Sequence, residues 1–503
     1  MKLETRDRYL ESLKKVEESL NGFNYDEKEL QNLILEIKKQ ELLVPIIGNF
    51  SAGKSSLINE FLGENSLRVA ITPETSIATE LRYSTINKIE AYKKEEIFKD
   101  ININDEEELK SNKYIKMYLN NKRLKDIEPL VLVDMPGFNS PVDLHNDAIL
   151  NYIEKGSYFI VLISSEEGTI SRNLLLELEN IKRLRCGFSI VLSKANLRSK
   201  EDVNLIKQNL KDEVEYLGYD KEIIEARKEG KVVFEEILRL INPDDIFREK
   251  FKDRIILFLM TTCDLLDTQI KCIQQTRDVN EREIAKLREE VEKIRKEKDK
   301  TILELKSSVD EEVEKVLSEI ENRIYNDIDL IIKDRNGVEI ESIIKNVLIK
   351  RGVEFNERIN FKLGEEFYQS NGINIEGILA LLSIVSFFSV TGFVAKAIKI
   401  LSTIESSIIG LDLFDKNTNS KDKVINNLIS DIRHSMKDKL KENFVESIDK
   451  IVEEKTIIYE NEINEKIALI ENIISNNDEA NIGKEIEKYN SQKNSIEVVL
   501  KKI

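Results

Sequence analysis

The chain has 503 residues, 41% of them hydrophobic and 34% charged, enough apolar material for two or three packed domains. Its formal charge of -17 argues against a nucleic-acid partner, because phosphate backbones are held by clustered Lys and Arg in a field of the opposite sign. Cys186, Cys263 and Cys272 give neither a disulfide framework nor a zinc spacing, and the opening MKLETRDRYLESLKK lacks an apolar signal core, so a reducing, cytoplasmic setting is expected.

Residues 4–40 have a helical pattern and can join a bundle with later helices. Short apolar runs then alternate with charged, helix-patterned stretches: LLVPIIG at 42–48, LVLVDMPG at 130–137, YFIVLIS at 158–164 and FSIVLSK at 188–194. That alternation predicts a parallel sheet with helices on both faces. All six prolines lie at or before Pro243, so the remainder is free to run in long helices. One apolar stripe passes through Ile284, Leu287, Val291, Ile294, Leu305, Val309, Val313, Val316, Ile320 and Ile324. A second runs through Ile425, Leu428, Ile432, Met436, Leu440 and Phe444, and the two predict helices packed antiparallel around a common core.

Between the stripes lies GILALLSIVSFFSVTGFVA, residues 377–395, free of charge and followed by Lys396 and Lys399. At 1.5 Å per residue it is just long enough for a ~30 Å hydrocarbon layer. Its Ser and Thr content and the amphipathic continuation suit a hairpin dipping into one leaflet, with Leu381, Leu382, Phe387, Phe388 and Phe393 as the contacting residues. A buried core or partner interface and a full span are the other readings. The expected organisation is N-terminal helices joining a neck over 1–41, an α/β P-loop domain with a mixed, mostly parallel sheet over 42–245, and a long helical trunk over 246–372. An apolar tip or paddle hairpin over 373–414 and returning trunk and neck helices over 415–503 complete it.

The first apolar run ends in Gly48-Asn49-Phe50-Ser51-Ala52-Gly53-Lys54-Ser55, with Ser56 following, which fits the phosphate-binding pattern G-x-x-x-x-G-K-[ST] between a strand and a helix. Its glycines let successive N–H groups face phosphates, and a helix starting near Lys54 adds its positive dipole end. Lys54 is then placed for the β and γ phosphates, and the Ser55 hydroxyl for Mg²⁺. Asp134 closes a later apolar run and can hold Mg²⁺ through water, while the Gly137 N–H can sense the γ-phosphate. In RVAITPETSIATEL, Thr72 and Thr75 are candidates to complete the metal shell, with Thr75 preferred. His145 reads as a loop histidine and His434 as bundle surface.

Together, GNFSAGKSSLINEFLG, the P-E-T loop, DMPGFNS and the later SKAN resemble the ordered signatures of the dynamin superfamily, especially its bacterial members, over about residues 42–200. The resemblance implies a GTPase head that uses Mg²⁺ and GTP, a helical neck and trunk drawn from both chain ends, and an apolar paddle. It further implies peripheral association with the inner membrane, self-association or a hetero-oligomer with a similar chain, and GTP hydrolysis coupled to membrane remodelling. Lys194 and Asn196 take the positions of the guanine-reading motif. Two departures stand out. Phe50 replaces a Gln that helps position the attacking water in many dynamins, leaving Ser51 and backbone groups for that task. Asn196 replaces an Asp whose carboxylate accepts two guanine N–H groups; losing that acceptor costs about 1–3 kcal/mol and weakens guanine preference roughly 5- to 150-fold. Glu225 stands where a Ser is usual in the last base-binding loop. A soluble nucleotide-dependent switch whose trunk binds a protein, and an ATPase with a coiled-coil arm, are the competing readings.

Overall fold

The computed structural model describes residues 3–67, 78–93, 96–100, 114–137, 152, 156–226, 230–333, 338–371, 421–476 and 482–503. Each of the four apolar runs forms a strand: β1 (Leu42–Gly48), β6 (Leu130–Asp134), β7 (Tyr158–Ser164) and β8 (Gly187–Ser193). All residues of β6 and β7 are buried, as expected of strands covered on both faces. The two-residue side-chain period divides them between two cores. Val44, Ile46, Leu132, Ile160 and Leu162 pack with Leu57, Ile58 and Phe61 of α3 (Lys54–Leu62) on one face. Ile47, Val133, Val161 and Ile163 pack on the other face with Leu174, Leu178 and Ile181 of α5 (Arg172–Arg183) and with Val203 and Leu210 of α6 (Lys200–Val214).

Among the described residues the sheet has nine strands in the order β4-β3-β5-β2-β6-β1-β7-β8-β9, including β2 (Ala78–Tyr83), β3 (Lys88–Lys93), β4 (Glu96–Asp100), β5 (Tyr114–Leu119) and β9 (Ile224–Glu225). From β6 to β9 every pairing is parallel. The other half supplies the expected mixed character: β2 runs antiparallel to β6 and parallel to β5, and β3 is antiparallel to both β5 and β4. The sheet is therefore mixed and mostly parallel. Short helices α4 (Lys122–Ile127) and α7 (Gly230–Leu240) complete this part.

A separate, continuous core unites α1 (Glu4–Ser19) and α2 (Glu27–Lys39) with α8 (Pro243–Gln274), α9 (Arg277–Ser307), α10 (Val309–Lys333), α11 (Val338–Asn371), α12 (Lys421–Asn476) and α13 (Ile482–Leu500). Pro243 occupies the first turn of α8, where its missing N–H costs nothing, and the Asn242 side chain accepts from Asp245 N. The N-terminal helix docks on that turn, where Asp244 Oδ1 accepts from Thr5 N at 2.8 Å and the rings of Tyr9 and Phe247 lie 6.5 Å apart. The two long stripes meet as antiparallel helices, as their ion pairs record: Arg288 with Glu471, Arg295 with Glu460 and Lys306 with Asp449 between α9 and α12, then Lys441 with Asp310 between α12 and α10. The first stripe is interrupted at Ser308, between α9 and α10, with Leu305 and Val309 buried on either side. His434 is exposed on α12.

Phe444 is fully buried in α12 and meets the Phe355 ring edge-on at 4.6 Å. Phe444→Ala is expected to destabilise the trunk by about 3–5 kcal/mol, read as an earlier helical transition in urea followed by circular dichroism.

Candidate nucleotide-binding site

The carboxyl ends of β6, β1, β7 and β8 lie side by side, and the loops that leave them carry the candidate residues. Such a row, at the edge of a parallel sheet, is where open α/β folds place ligands. Gly48 closes β1 at φ 153°, and a Cβ there would sit 2.3 Å from the Leu162 carbonyl oxygen, so no side chain fits. A short 3₁₀ turn over Phe50–Ala52 follows, and Gly53, at φ 87°, turns the chain into α3. The first turn of this helix thereby points its N–H groups at the loop.

Lys54 is 5% exposed, and its Nζ donates to the carbonyls of Gly48 and Asn49, at 3.0 Å each. These bonds fold the side chain back over the loop it serves. Burial pushes its pKa down to about 8, opposed by the charges of Asp134 and Glu167. Ser55 Oγ donates to Asp134 Oδ2 at 2.6 Å. Asp134 is buried, its carboxyl pKa raised by burial against the Ser55 hydrogen bond and the Lys54 charge, and its Oδ1 has no hydrogen-bond partner. One hydroxyl and one carboxylate with an unsatisfied oxygen form the hard-oxygen donor set that Mg²⁺ takes together with waters and phosphates, so these residues fit that ion. Gly137 sits against the same loop: a Cβ on it would lie 2.4 Å from Phe50 Cα. The DMPG segment and the phosphate loop thus touch backbone to backbone.

The third cluster follows β8. Ser193 Oγ donates to Ala52 O at 2.6 Å, tying this strand end to the phosphate loop. Lys194 adopts a left-handed conformation, φ 55°, and its Nζ pairs with Glu166 from the loop after β7. Ser165 Oγ donates to the Lys194 carbonyl at 2.8 Å, and Ala195 N donates to Ala226 O at 3.3 Å, which braces the motif from both sides. Asn196 is exposed beside it. Glu225 pairs with Lys207. The similar string Ser199-Lys200-Glu201-Asp202 is the cap of α6, where the Ser199 hydroxyl accepts from Asp202 N at 3.1 Å.

The fold thus brings Gly48, Asn49, Phe50, Ala52, Gly53, Lys54, Ser55, Asp134 and Gly137 to one place, with Ser51 exposed in the same loop. Ser56 lines a shallow cleft with Asn59, Glu60 and Glu64. Thr72, Thr75 and His145 lie outside the described residues, as do the tip residues Leu381, Leu382, Phe387, Phe388 and Phe393. Sequence reasoning missed the bracing of Asn49, whose Nδ2 donates to Glu167 Oε2 at 2.7 Å and whose Oδ1 accepts from Ser171 Oγ at 3.3 Å. The available signal was the pair of polar residues closing the apolar run of β7 and capping the next helix.

Residues 44–195 match the family model described as Dynamin family. Dynamin-like protein 2 of Campylobacter jejuni (strain 81-176) is 29% identical over 269 residues, 48% of this chain and 41% of that protein. The protein of the xynA 3' region of Caldicellulosiruptor sp. (strain Rt8B.4) is 26% identical over 215 residues, 39% of this chain and 51% of that protein. The chain thus spans about half the length of the curated relatives it matches. Among solved structures, one of an oligomerised bacterial dynamin pair, described as a mechanism for long-range sensing and tethering of membranes, aligns at 19% identity and a TM-score of 0.41. That alignment covers 98% of this chain and 82% of the other.

Because burial lowers the pKa of Lys54 to about 8, its charge is lost as pH rises through that value. A phosphate beside the ammonium favours the charged form, so triphosphate binding above pH 8 should take up a proton. Affinity should fall up to about tenfold per pH unit there. Calorimetric titration in buffers of different ionisation enthalpy checks both the uptake and its disappearance in Lys54→Ala.

Proposed function

We propose, from the match of residues 44–195 to the Dynamin family model, that this chain is a dynamin-like GTPase that binds GTP with Mg²⁺ and hydrolyses the β–γ phosphoanhydride. The observation that carries the reading is the Ser55–Asp134 hydrogen bond of 2.6 Å beside the buried Lys54, at the ends of two adjacent parallel strands. In this reading the N–H groups of residues 49–55 cradle the phosphates, and Lys54 neutralises charge that grows on the β and γ oxygens. Ser55, and Asp134 through water, would hold the metal, with Thr75 completing its shell. When bound, Mg²⁺ would supply positive charge that offsets the negative charge of the phosphates. Phe50 keeps an apolar surface over the phosphate loop, and Ser51 with backbone groups orients the attacking water. Gly137, pressed on the Phe50 backbone, reports the γ-phosphate to the segment that follows. Lys194 and Asn196 contact the base, the latter with one acceptor only.

The same reading gives the helical region its task. The chain divides into the five parts set out from the sequence, heads of two chains meet, and hydrolysis moves the trunk relative to the head. Residues 377–395 bring the trunk to a lipid surface from the cytoplasmic side. Among the described residues no helix is long and apolar enough to cross a membrane. The substitutions at Phe50 and Asn196 favour a second reading, in which a slow or partner-dependent head switches a trunk that binds protein.

Phosphate release from GTP should fall about 100-fold or more in Lys54→Ala. Asn196→Asp should sharpen the preference for GTP over ATP by about 5- to 150-fold, measured by competition against a fluorescent guanine nucleotide. Absence of GTP turnover in the folded wild type, alone and with liposomes, would give the second reading the lead. Co-sedimentation with anionic liposomes should be lost in the Phe387→Asp/Phe388→Asp variant; unchanged sedimentation would remove the lipid contact.

A further inference from the structure

Helix α5 touches the phosphate loop at one end and the trunk along one side. Its cap, Ser171, accepts from Leu174 N and donates to Asn49 in the phosphate loop. Apolar residues Leu174, Leu178 and Ile181 bury one stripe on the sheet. A neighbouring stripe, Asn173, Glu177 and Asn180, is polar and nevertheless buried. The spacing of four and three puts these residues on one helix face. Two trunk helices meet that face. Lys345 of α11 pairs with Glu177, both side chains 7% exposed. Next to it Asn346, fully buried, donates to Asn180 Oδ1 at 3.2 Å and to the Leu176 carbonyl at 3.4 Å. Arg323 of α10 donates to Asn346 Oδ1 at 2.6 Å, and Asp327 of α10 pairs with Arg172 in the first turn of α5.

This contact differs in kind from the rest of the helical core. An apolar seam resists separation because opening it exposes hydrocarbon to water. A buried ion pair with amide partners is specific, yet its Coulomb attraction is largely offset by desolvation, and water satisfies both faces once they part. The junction is therefore suited to being made and broken. It is also rigidly connected, since Ser171 and Glu177 lie about 9 Å apart along one helix.

We propose that α5 is a latch between the nucleotide site and the trunk. Docking of Lys345 and Asn346 holds α5, and through Ser171 it holds Asn49 and restrains turnover. Nucleotide in the phosphate loop shifts Asn49 and Ser171 and loosens the docked trunk. By linkage the effect is reciprocal: what opens the latch favours the nucleotide-loaded loop. The inference rests on the GTP reading above.

The test uses the full chain, with amide hydrogen exchange of residues 343–349 measured with and without a non-hydrolysable GTP analogue and Mg²⁺. The analogue should speed exchange there about fivefold or more in the wild type. Ser171→Ala should bind the analogue yet lose the change. Lys345→Glu and Glu177→Lys should exchange fast without nucleotide and hydrolyse GTP about fivefold faster, and the double charge swap should restore both properties. The milder Glu177→Gln, with its melting temperature recorded, guards against misfolding of the single reversals and should move in the same direction. Unchanged exchange with the analogue demonstrably bound overturns the latch alone, as do single variants that hydrolyse GTP no faster than the wild type. Failure of the analogue to bind the wild type overturns the GTP reading and the latch with it.

Discussion

Ile46 lies opposite Asp134 across the β1–β6 ladder, and the candidate site depends on that register. With the two strands parallel and so aligned, the last residue of β6 arrives beside the loop that leaves β1, within reach of Ser55. A slip of one residue would turn Asp134 to the other face of the sheet and break the bond. What holds the register is the division of Val44, Ile46 and Leu132 from Ile47 and Val133 between two separate cores. The placement of polar oxygen atoms at the strand ends is thus set by apolar packing several residues earlier in each strand.

The phosphate loop is constrained from three directions besides β1. Leu162 of β7 leaves no room for a side chain at Gly48, Ser193 of β8 holds the Ala52 carbonyl, and Gly137 after β6 abuts Phe50. Its fourth neighbour is the start of α5, through Asn49 and Ser171. Each parallel strand of the central sheet therefore contributes one restraint to the same short segment. A loop fixed in this way presents its N–H groups without having to order them on binding, which is the condition for strong electrostatic assistance.

The phosphate loop was legible because its chemistry is local: Gly48, Gly53, Lys54 and Ser55 are consecutive or nearly so, and the strand and helix around them advertise themselves by apolar content. The long trunk stripes were legible for a similar reason, since their period needs no knowledge of the partner. The antiparallel half of the sheet was hidden. KIEAYK carries two Lys and a Glu that blend with the helix-patterned stretches around it, and YIKMYL has Lys116 and two tyrosines on its half-buried face, so neither reads as an apolar run. The contact of α5 with α11 was hidden more deeply, because it buries Glu177, Asn180, Lys345 and Asn346, residues whose composition alone says solvent. Partners so far apart in sequence leave no periodic mark when the contact is polar. Ser193 was visible as a letter of the base motif, but its bond to Ala52 belongs to the tertiary fold.

The junction at Pro243 also sets a mechanical scale. Helix α7 ends at Leu240 and α8 begins at Pro243, so only Ile241 and Asn242 separate the last helix of the head from a helix of 32 residues. That helix is about 48 Å long. A turn of about 10° at its first residue would displace its far end by about 8 Å, more than the rise of one helical turn. The bond from Thr5 to Asp244 carries α1 with that movement. The geometry is that of an oar pivoted close to the blade, in which a small rotation at Pro243 becomes a large displacement at the far end of α8.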